Sequence, residues 1–352
     1  MFESLGFQAL TPVQASAILG LLIGLAYGAL AERSRFCLRR GLVGPAGERR
    51  AALGVWALAL AVALIGTQAA VGAGLISFSD HRFLAADLPL AAVLGGGLLF
   101  GAGMVLSRGC ASRLTVLAGT GNLRAATVIL VFAVIAHATL KGVLAPLRVV
   151  LGGLTVPLGD NTSLAALPGG ALPWTGFLAF ALLVVALRSG ARPGTLAMGA
   201  AIGLLVPLAW VGTGFLLYDD FDPIALESLS FTAPSADALF WTIAATSIPA
   251  GFGTGLIGGV LLGALGASLT ARSFRWQSFA SPRDTGRYLA GAALMGVGGV
   301  LAGGCTIGAG LAGVPTLGLS ALLALAAIAA GAKATDRLLS ASPSGSAAAQ
   351  AT

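Results

Sequence analysis

Residues Leu289–Cys305 read LAGAALMGVGGVLAGGC, and residues Leu94–Cys110 read LGGGLLFGAGMVLSRGC. Overlaid at an offset of 195, nine of the 17 positions are identical, and both stretches end in Val-Leu-x-x-Gly-Cys. Gly-rich helices agree in part through composition alone, but the shared ending is harder to reach by chance. Each stretch is most of a membrane-spanning helix, which takes roughly 20 apolar residues. A long-period internal similarity of this kind implies two units of one architecture in a single chain.

The rest of the 352 residues agrees with a membrane setting. Apolar types make up 57% and charged types 9%, whereas a soluble domain carries about 25% charged residues. Fifty-two glycines fit a polytopic helical membrane protein, where Gly is commoner than in soluble helices. The net charge of +7 points to a membrane surface or an anionic ligand. With no long Lys/Arg run and no basic-aromatic module, nucleic acid is not an expected partner. Residues 1–14 lack the basic start and cleavage pattern of a secretory signal, so the first helix is expected to stay as an anchor.

The expected fold is an all-α polytopic membrane protein with about nine transmembrane helices plus re-entrant half-helices. The spans are read at about 15–31, 51–72, 89–106, 124–142, 171–188, 195–217, 251–271, 288–303 and 317–333, with an extra half-helix at 236–249. One transmembrane domain covers 1–338, and an Ala/Ser-rich tail at 339–352 reads as disordered. With the N-terminus outside and the C-terminus cytoplasmic, seventeen of the 20 basic residues fall inside and only Arg82, Lys141 and Arg148 outside, as the positive-inside rule requires. Asp219, Asp220, Asp222 and Glu227 share one outer loop. Spans one to four (about 15–150) and six to nine (about 195–335) form two units, with the helix at 171–188 as connector. A single connecting span makes the second unit enter from the opposite side, so the repeats are inverted and pseudo-symmetric. In transporters of that kind the site lies near the midplane, where helices are broken.

The three cysteines, Cys37, Cys110 and Cys305, all end Gly-rich helices. Ser34-Arg35-Phe36-Cys37 and Ser107-Arg108-Gly109-Cys110 share S-R-x-C. With no C-x-x-C and no adjacent His, a zinc or thioredoxin-like site has little support, and no metal or cofactor is expected. The stretches after Cys110 and Cys305 are too short to span and suit re-entrant half-helices. Backbone freed at such breaks must be buried in protein or line a cavity. Glycines let backbones approach closely there, and new helix starts favour an anion. Arg35, Arg108 and Arg113 would add attraction if they face the path, although inside-positive anchoring also explains arginines after spans one and three. A neutral thiol is a weak, soft donor, which suits the terminal sulfur of a sulfur oxyanion. Among other singled-out residues, His137 reads as a packed histidine, Lys141 as snorkelling, and Gly20/Gly24/Gly28 and Gly255/Gly259/Gly263 as helix packing. Trp210 and Gly212-Thr213-Gly214 suggest a fourth broken element that acts through backbone only.

At these residues the chain resembles the YeeE/YedE family of sulfur-transport membrane proteins, which includes bacterial thiosulfate importers. The resemblance rests on GLAYGALAERSRFCLRRG, on GLLFGAGMVLSRGCASR followed by GTGNLRA, and on ALMGVGGVLAGGCTIGAGLAGVPTLGLSA, and it covers most of 15–335. It implies an inverted-repeat fold with central broken helices and uptake of thiosulfate, or another small sulfur or selenium species, through the inner (plasma) membrane. It also implies a relay through Cys37, Cys110 and Cys305 by transient S–H···S hydrogen bonds, with Gly109, Gly304 and Thr306 in support. Arg108 departs from the family's pattern, in which its thiosulfate importers carry a small residue there. Any soluble sulfur-carrier partner would be a separate chain. On this reading the protein is not an enzyme. Two rivals stay open: a membrane sulfurtransferase that forms a cysteine persulfide, and a passive anion channel with structural cysteines. No nucleotide-binding motif is present for an ATP-driven pump.

Overall fold

The structure is a computed structural model that describes residues 10–219, 221–279 and 281–341. The chain forms helices α1 (Pro12–Ser34), α2 (Leu38–Val43), α3 (Ala46–Gly72), α4 (Leu90–Leu106), α5 (Ala111–Gly119), α6 (Leu123–Lys141), α7 (Ala145–Gly152), α8 (Ala171–Leu187), α9 (Pro193–Val211), α10 (Thr232–Ala244), α11 (Phe252–Thr270), α12 (Pro282–Leu301) and α13 (Leu319–Ala341). The one sheet among the described residues is a two-residue antiparallel pair, Asp87–Leu88 with Val156–Pro157. This is an all-α polytopic membrane protein. Among the described residues eight helical stretches are long and apolar enough to cross a membrane, and α8 is a shorter apolar helix of 17 residues.

Relative helix direction decides whether α8 crosses. Gly20, Gly24 and Gly28 of α1 climb along Phe252, Leu256 and Val260 of α11, so these two helices are parallel. Gly199 and Gly203 of α9 meet Val55 and Ala59 of α3, again in parallel. The chain therefore enters α9 in the same direction as α3. An odd number of crossings between α6 and α9 is needed for that, and α8 is the helix available. Seventeen residues at about 1.5 Å each give roughly 25 Å, just under a typical hydrocarbon core. The nine expected spans thus all correspond to helices, and the expected half-helix at 236–249 is α10.

Glycine sets how closely these helices approach. A Cβ on Gly24 would run into the Leu256 carbonyl, and one on Gly259 into that of Leu21. In lipid such close packing supplies the association that hydrophobic burial cannot. The GxxxG patterns are therefore packing surfaces, shared face to face by α1 and α11. Between α4 and α12 the contacts are reciprocal. Gly96 packs on Gly298, and Gly103 on Gly291. The offset of 195 pairs Gly96 with Gly291 and Gly103 with Gly298, so each glycine touches the other's counterpart, with the helices antiparallel. Packing also exchanges between the halves: α1 lies on α11 while α9 lies on α3, and α4 lies on α13 while α12 lies on α6.

Two expectations need correction. Trp210 and Gly212-Thr213-Gly214 do not break their helix. The chain passes from α9 into a π-helical segment, Gly212–Leu216, without interruption. A wider turn absorbs the two glycines while keeping the backbone bonded. The tail read as starting at 339 is still helical to Ala341, where α13 ends; residues 342–352 lie outside the described residues.

Candidate functional site

Each cysteine is reached by the same backbone device. α1, α4 and α12 end at a residue in the left-handed conformation: Arg35 at φ 51°, Arg108 at φ 56° and Gly303 at φ 73°. Cys37, Cys110 and Cys305 follow two residues later, each in extended conformation as the first residue before a new helical segment. For α4 the turn is a complete Schellman motif, with Gly109 N–H donating to Met104 O (3.1 Å) and Arg108 N–H to Val105 O (3.2 Å). The Ser107 hydroxyl braces it against Gly103 O and Gly109 O. α1 ends alike, with Phe36 N–H on Ala31 O (3.1 Å). A non-glycine residue in this region carries steric strain of about 1 kcal/mol or more, so Arg35 and Arg108 hold a costly conformation just ahead of a thiol. After Cys110 comes α5. After Cys305 comes a π-helical segment, Thr306–Gly313, all of it buried. These are the two re-entrant pieces expected from sequence.

The turns bring Cys37 and Cys110 together and leave Cys305 within electrostatic range of Cys110. The Cys37 and Cys110 side chains lie within thiol–thiol interaction range, and Thr306 also approaches Cys110. Cys110 Sγ is 3.3 Å from Ser112 Oγ, and Cys305 Sγ accepts from the Gly308 N–H at 3.4 Å. Cys110 and Cys305 are 1% and 0% exposed, and Cys37 is partly exposed. The Thr306 hydroxyl is buried without a hydrogen bond of ordinary geometry, an unusual state for a buried polar group.

Tyr27 sits among them. Its hydroxyl interacts with Ser112 and is within electrostatic range of all three thiols. Its ring packs on Phe231 (centroids 5.4 Å) and edge-on to Phe36 (6.5 Å). Sequence reading passed Tyr27 over. The available signal was a lone aromatic in the Gly-rich end of α1, within the same motif as Cys37.

Two vestibules approach this cluster from opposite ends of α3 and α9. One, of about 600 Å³, lies at their N-terminal ends and is lined by Arg33, Arg35, Cys37, Arg40, Glu48 and Arg192. The other, of about 680 Å³, lies at their C-terminal ends, holds His81, Arg82, Trp210 and Glu227, and reaches Gly308, the residue bonded to the Cys305 sulfur.

The expected supporting residues divide. Gly109, Gly304 and Thr306 are buried beside the thiols, and a Cβ on Gly304 would press on the Ala309 backbone. Arg35 lines the basic vestibule. Arg113 is turned inward onto Glu32 (3.1 Å) and Ala31 O (3.3 Å), so its charge is already balanced. Arg108 is exposed and lines neither vestibule. Among the described residues no cluster of His, Cys, Asp or Glu could hold a metal ion.

A bundle of apolar membrane-length helices with recesses at its two ends is the architecture of a multi-pass membrane protein of the transport class. The chain belongs to the sulphur-transport family, whose model matches residues 33–334. It is 28% identical over 344 residues to the thiosulfate transporter TsuA of Spirochaeta thermophila, covering 87% of this chain and 93% of that protein. Against the thiosulfate transporter TsuA of Escherichia coli it is 26% identical over 320 residues, covering 83% and 86%. Relatives at this coverage are transporters, not enzymes.

Proposed function

We propose that the protein imports thiosulfate, or a closely related small sulfur anion, across the bacterial inner membrane. The observation that carries this reading is the meeting of three thiols around Tyr27, between vestibules that open at opposite ends of the bundle. Neutral S–H groups in a dry neck can donate weakly to a terminal sulfur, and no single one holds the ion strongly enough to trap it. The order along the path is Cys305, Cys110, Cys37, from the recess that reaches Gly308 to the one that Cys37 lines. The basic vestibule faces the cytoplasm, with the N-terminus outside and the C-terminus inside, in line with the positive-inside rule. Two inverted repeats, about 15–150 and 195–335, are joined by α8. The reciprocal glycine contacts of α4 and α12 support that symmetry. A soluble sulfur carrier receiving the product from the basic vestibule would be a separate protein.

The test is growth of a thiosulfate-uptake-deficient bacterium on thiosulfate as sole sulfur source. The wild-type chain restores growth, and Cys→Ala at 37, 110 or 305 abolishes it at equal membrane abundance. Normal growth of all three variants overturns the relay. A persulfide adduct on a cysteine after thiosulfate exposure would favour a sulfurtransferase instead.

A further inference from the structure

The vestibule that reaches Gly308 holds charged groups for which the thiol relay has no use. Arg82 opens a short 3-10 turn, Arg82–Leu84. The preceding His81 accepts the Phe83 N–H on its Nδ1 (3.4 Å) and packs among Phe78, Phe83 and Trp210, with centroids 5.0 to 5.8 Å away. From the facing strand of backbone comes Glu227. Its N–H and carbonyl are both bonded to the Thr213 hydroxyl, at 3.1 and 2.8 Å. Arg82 and Glu227 influence one another's charge without closing to an ion pair. Among the described residues the ion pairs are Arg40–Glu48, Arg49–Asp336 and Arg113–Glu32.

A second observation points to a ligand. Trp210 lines the same vestibule and is 3% exposed, yet its indole N–H has no hydrogen-bond partner. A buried donor is rarely left unpaired. An oxyanion drawn to Arg82 would supply the missing acceptor, and it would stand next to Gly308 and the Cys305 thiol.

We propose that this vestibule is a proton-linked admission site for a small oxyanion, in which Arg82 and the Trp210 N–H hold the ion and Glu227 takes up a proton to let it in. The proposal rests on the transport reading above and adds an entry site and a coupled proton to it. While Glu227 is ionised, its charge opposes Arg82 and repels an incoming anion. Protonated, it leaves Arg82 unopposed and becomes a hydrogen-bond donor itself. The titratable groups that line the vestibule with Glu227 are Arg82, His81 and Asp80 from the α3–α4 linker and Tyr218 from the stretch after α9, and of these Arg82 acts on it directly. Asp237 on α10 adds repulsion and is itself influenced by Lys141 and His137 of α6. Burial, reinforced by Asp237, pushes the Glu227 carboxyl up to about 7, with Arg82 pulling the other way. Its proton therefore exchanges near neutral pH.

The experiment is equilibrium binding of radiolabelled thiosulfate, and separately sulfate, to the full chain in lipid nanodiscs at pH 6 and pH 8. Both ions are dianions at either pH, so any change comes from the protein. With Glu227 titrating at about 7, the wild type binds about tenfold more tightly at pH 6 than at pH 8. Glu227→Gln binds tightly at both, with a ratio near one, and Arg82→Gln binds weakly at both. A Glu227→Gln protein that keeps the tenfold ratio overturns the proposal, as does Arg82→Gln binding like wild type. Binding of neither ion by the wild type overturns it too. Sulfate bound with the tenfold ratio and thiosulfate not bound would keep the admission site and remove thiosulfate as the substrate.

Discussion

Arg113 Nη1 lies 3.1 Å from Glu32 Oε2 and 3.3 Å from the Ala31 carbonyl, which ties the re-entrant α5 to the last turn of α1. Both side chains are mostly shielded, at 15% and 18% exposure. Removing one partner leaves the other poorly solvated. Arg113→Leu should therefore lower stability by about 1–3 kcal/mol, between the values for exposed and fully buried pairs. Glu32→Gln combined with Arg113→Gln should lose less than Arg113→Leu alone. Thermal denaturation in detergent, run as a double-mutant cycle, reads the coupling.

Thiol reactivity should follow the vestibules. Cys37 lines the basic recess, while Cys110 and Cys305 are 1% and 0% exposed. A bulky, charged maleimide applied to the folded protein should modify Cys37 at least about ten times faster than the other two, since reaction requires access. All three should react once the chain is unfolded in detergent. Applied to sealed vesicles of known orientation, the same reagent reports which face carries the basic vestibule. Equal labelling of Cys305 and Cys37 in the folded state would contradict the geometry.

Gly259→Ala should be costly out of proportion to one methyl group. The added carbon would meet the Leu21 carbonyl and the backbone of Gly24 and Leu25, none of which can rotate aside. α1 must then move away from α11, at a cost of about 1–3 kcal/mol for overpacking. Because α1 carries Tyr27, uptake should fall with it. Gly258→Ala, one position along the same helix and facing open space, should be tolerated in both stability and uptake.

The carboxyl of Glu227 and the imidazole of His81 should pull stability in opposite directions with pH. Burial raises Glu227 to about 7, so the stability linked to its proton is present at low pH and is lost as pH rises through about 7. Burial, assisted by Arg82, lowers His81 to about 4, so its contribution is present above about 6.5 and is lost as pH falls toward 4. Melting temperatures across pH 4 to 9 should show Glu227→Gln gaining on wild type above pH 7 and His81→Asn gaining below pH 6. A pH-independent difference for both variants would remove these two groups from the account.

Much of the helical frame was readable because it depends on local composition. Runs of apolar residues mark α1, α3 and α4, and their counterparts α9, α11 and α12. Cys110 and Cys305 advertise themselves by sharing a terminus. What could not be read depends on partners far apart in the chain. Nothing near Arg113 announces Glu32, and nothing near Gly298 announces Gly96. Tyr27 is one aromatic among apolar neighbours until folding places three thiols around it. The arginines show a further limit. Arg35 and Arg108 stand in identical S-R-x-C contexts, yet one lines a vestibule and the other faces outward, because the helices that carry them stand in different places.

The cluster around Tyr27 has an electrical consequence for the proposed transport. Tyr27, Phe36 and Phe231 offer no fixed charge against which an ion could be balanced, and the neutral thiols of the proposed relay would add none. For a dianion moving toward a negative interior, a membrane voltage of about 100 mV adds roughly 5 kcal/mol of opposition. At the contact of α1 with α5 the charges of Arg113 and Glu32 cancel, so that contact offers no net charge to move with the ion. If the ion carried is the dianion proposed above, each proton that crosses with it removes half of that opposition.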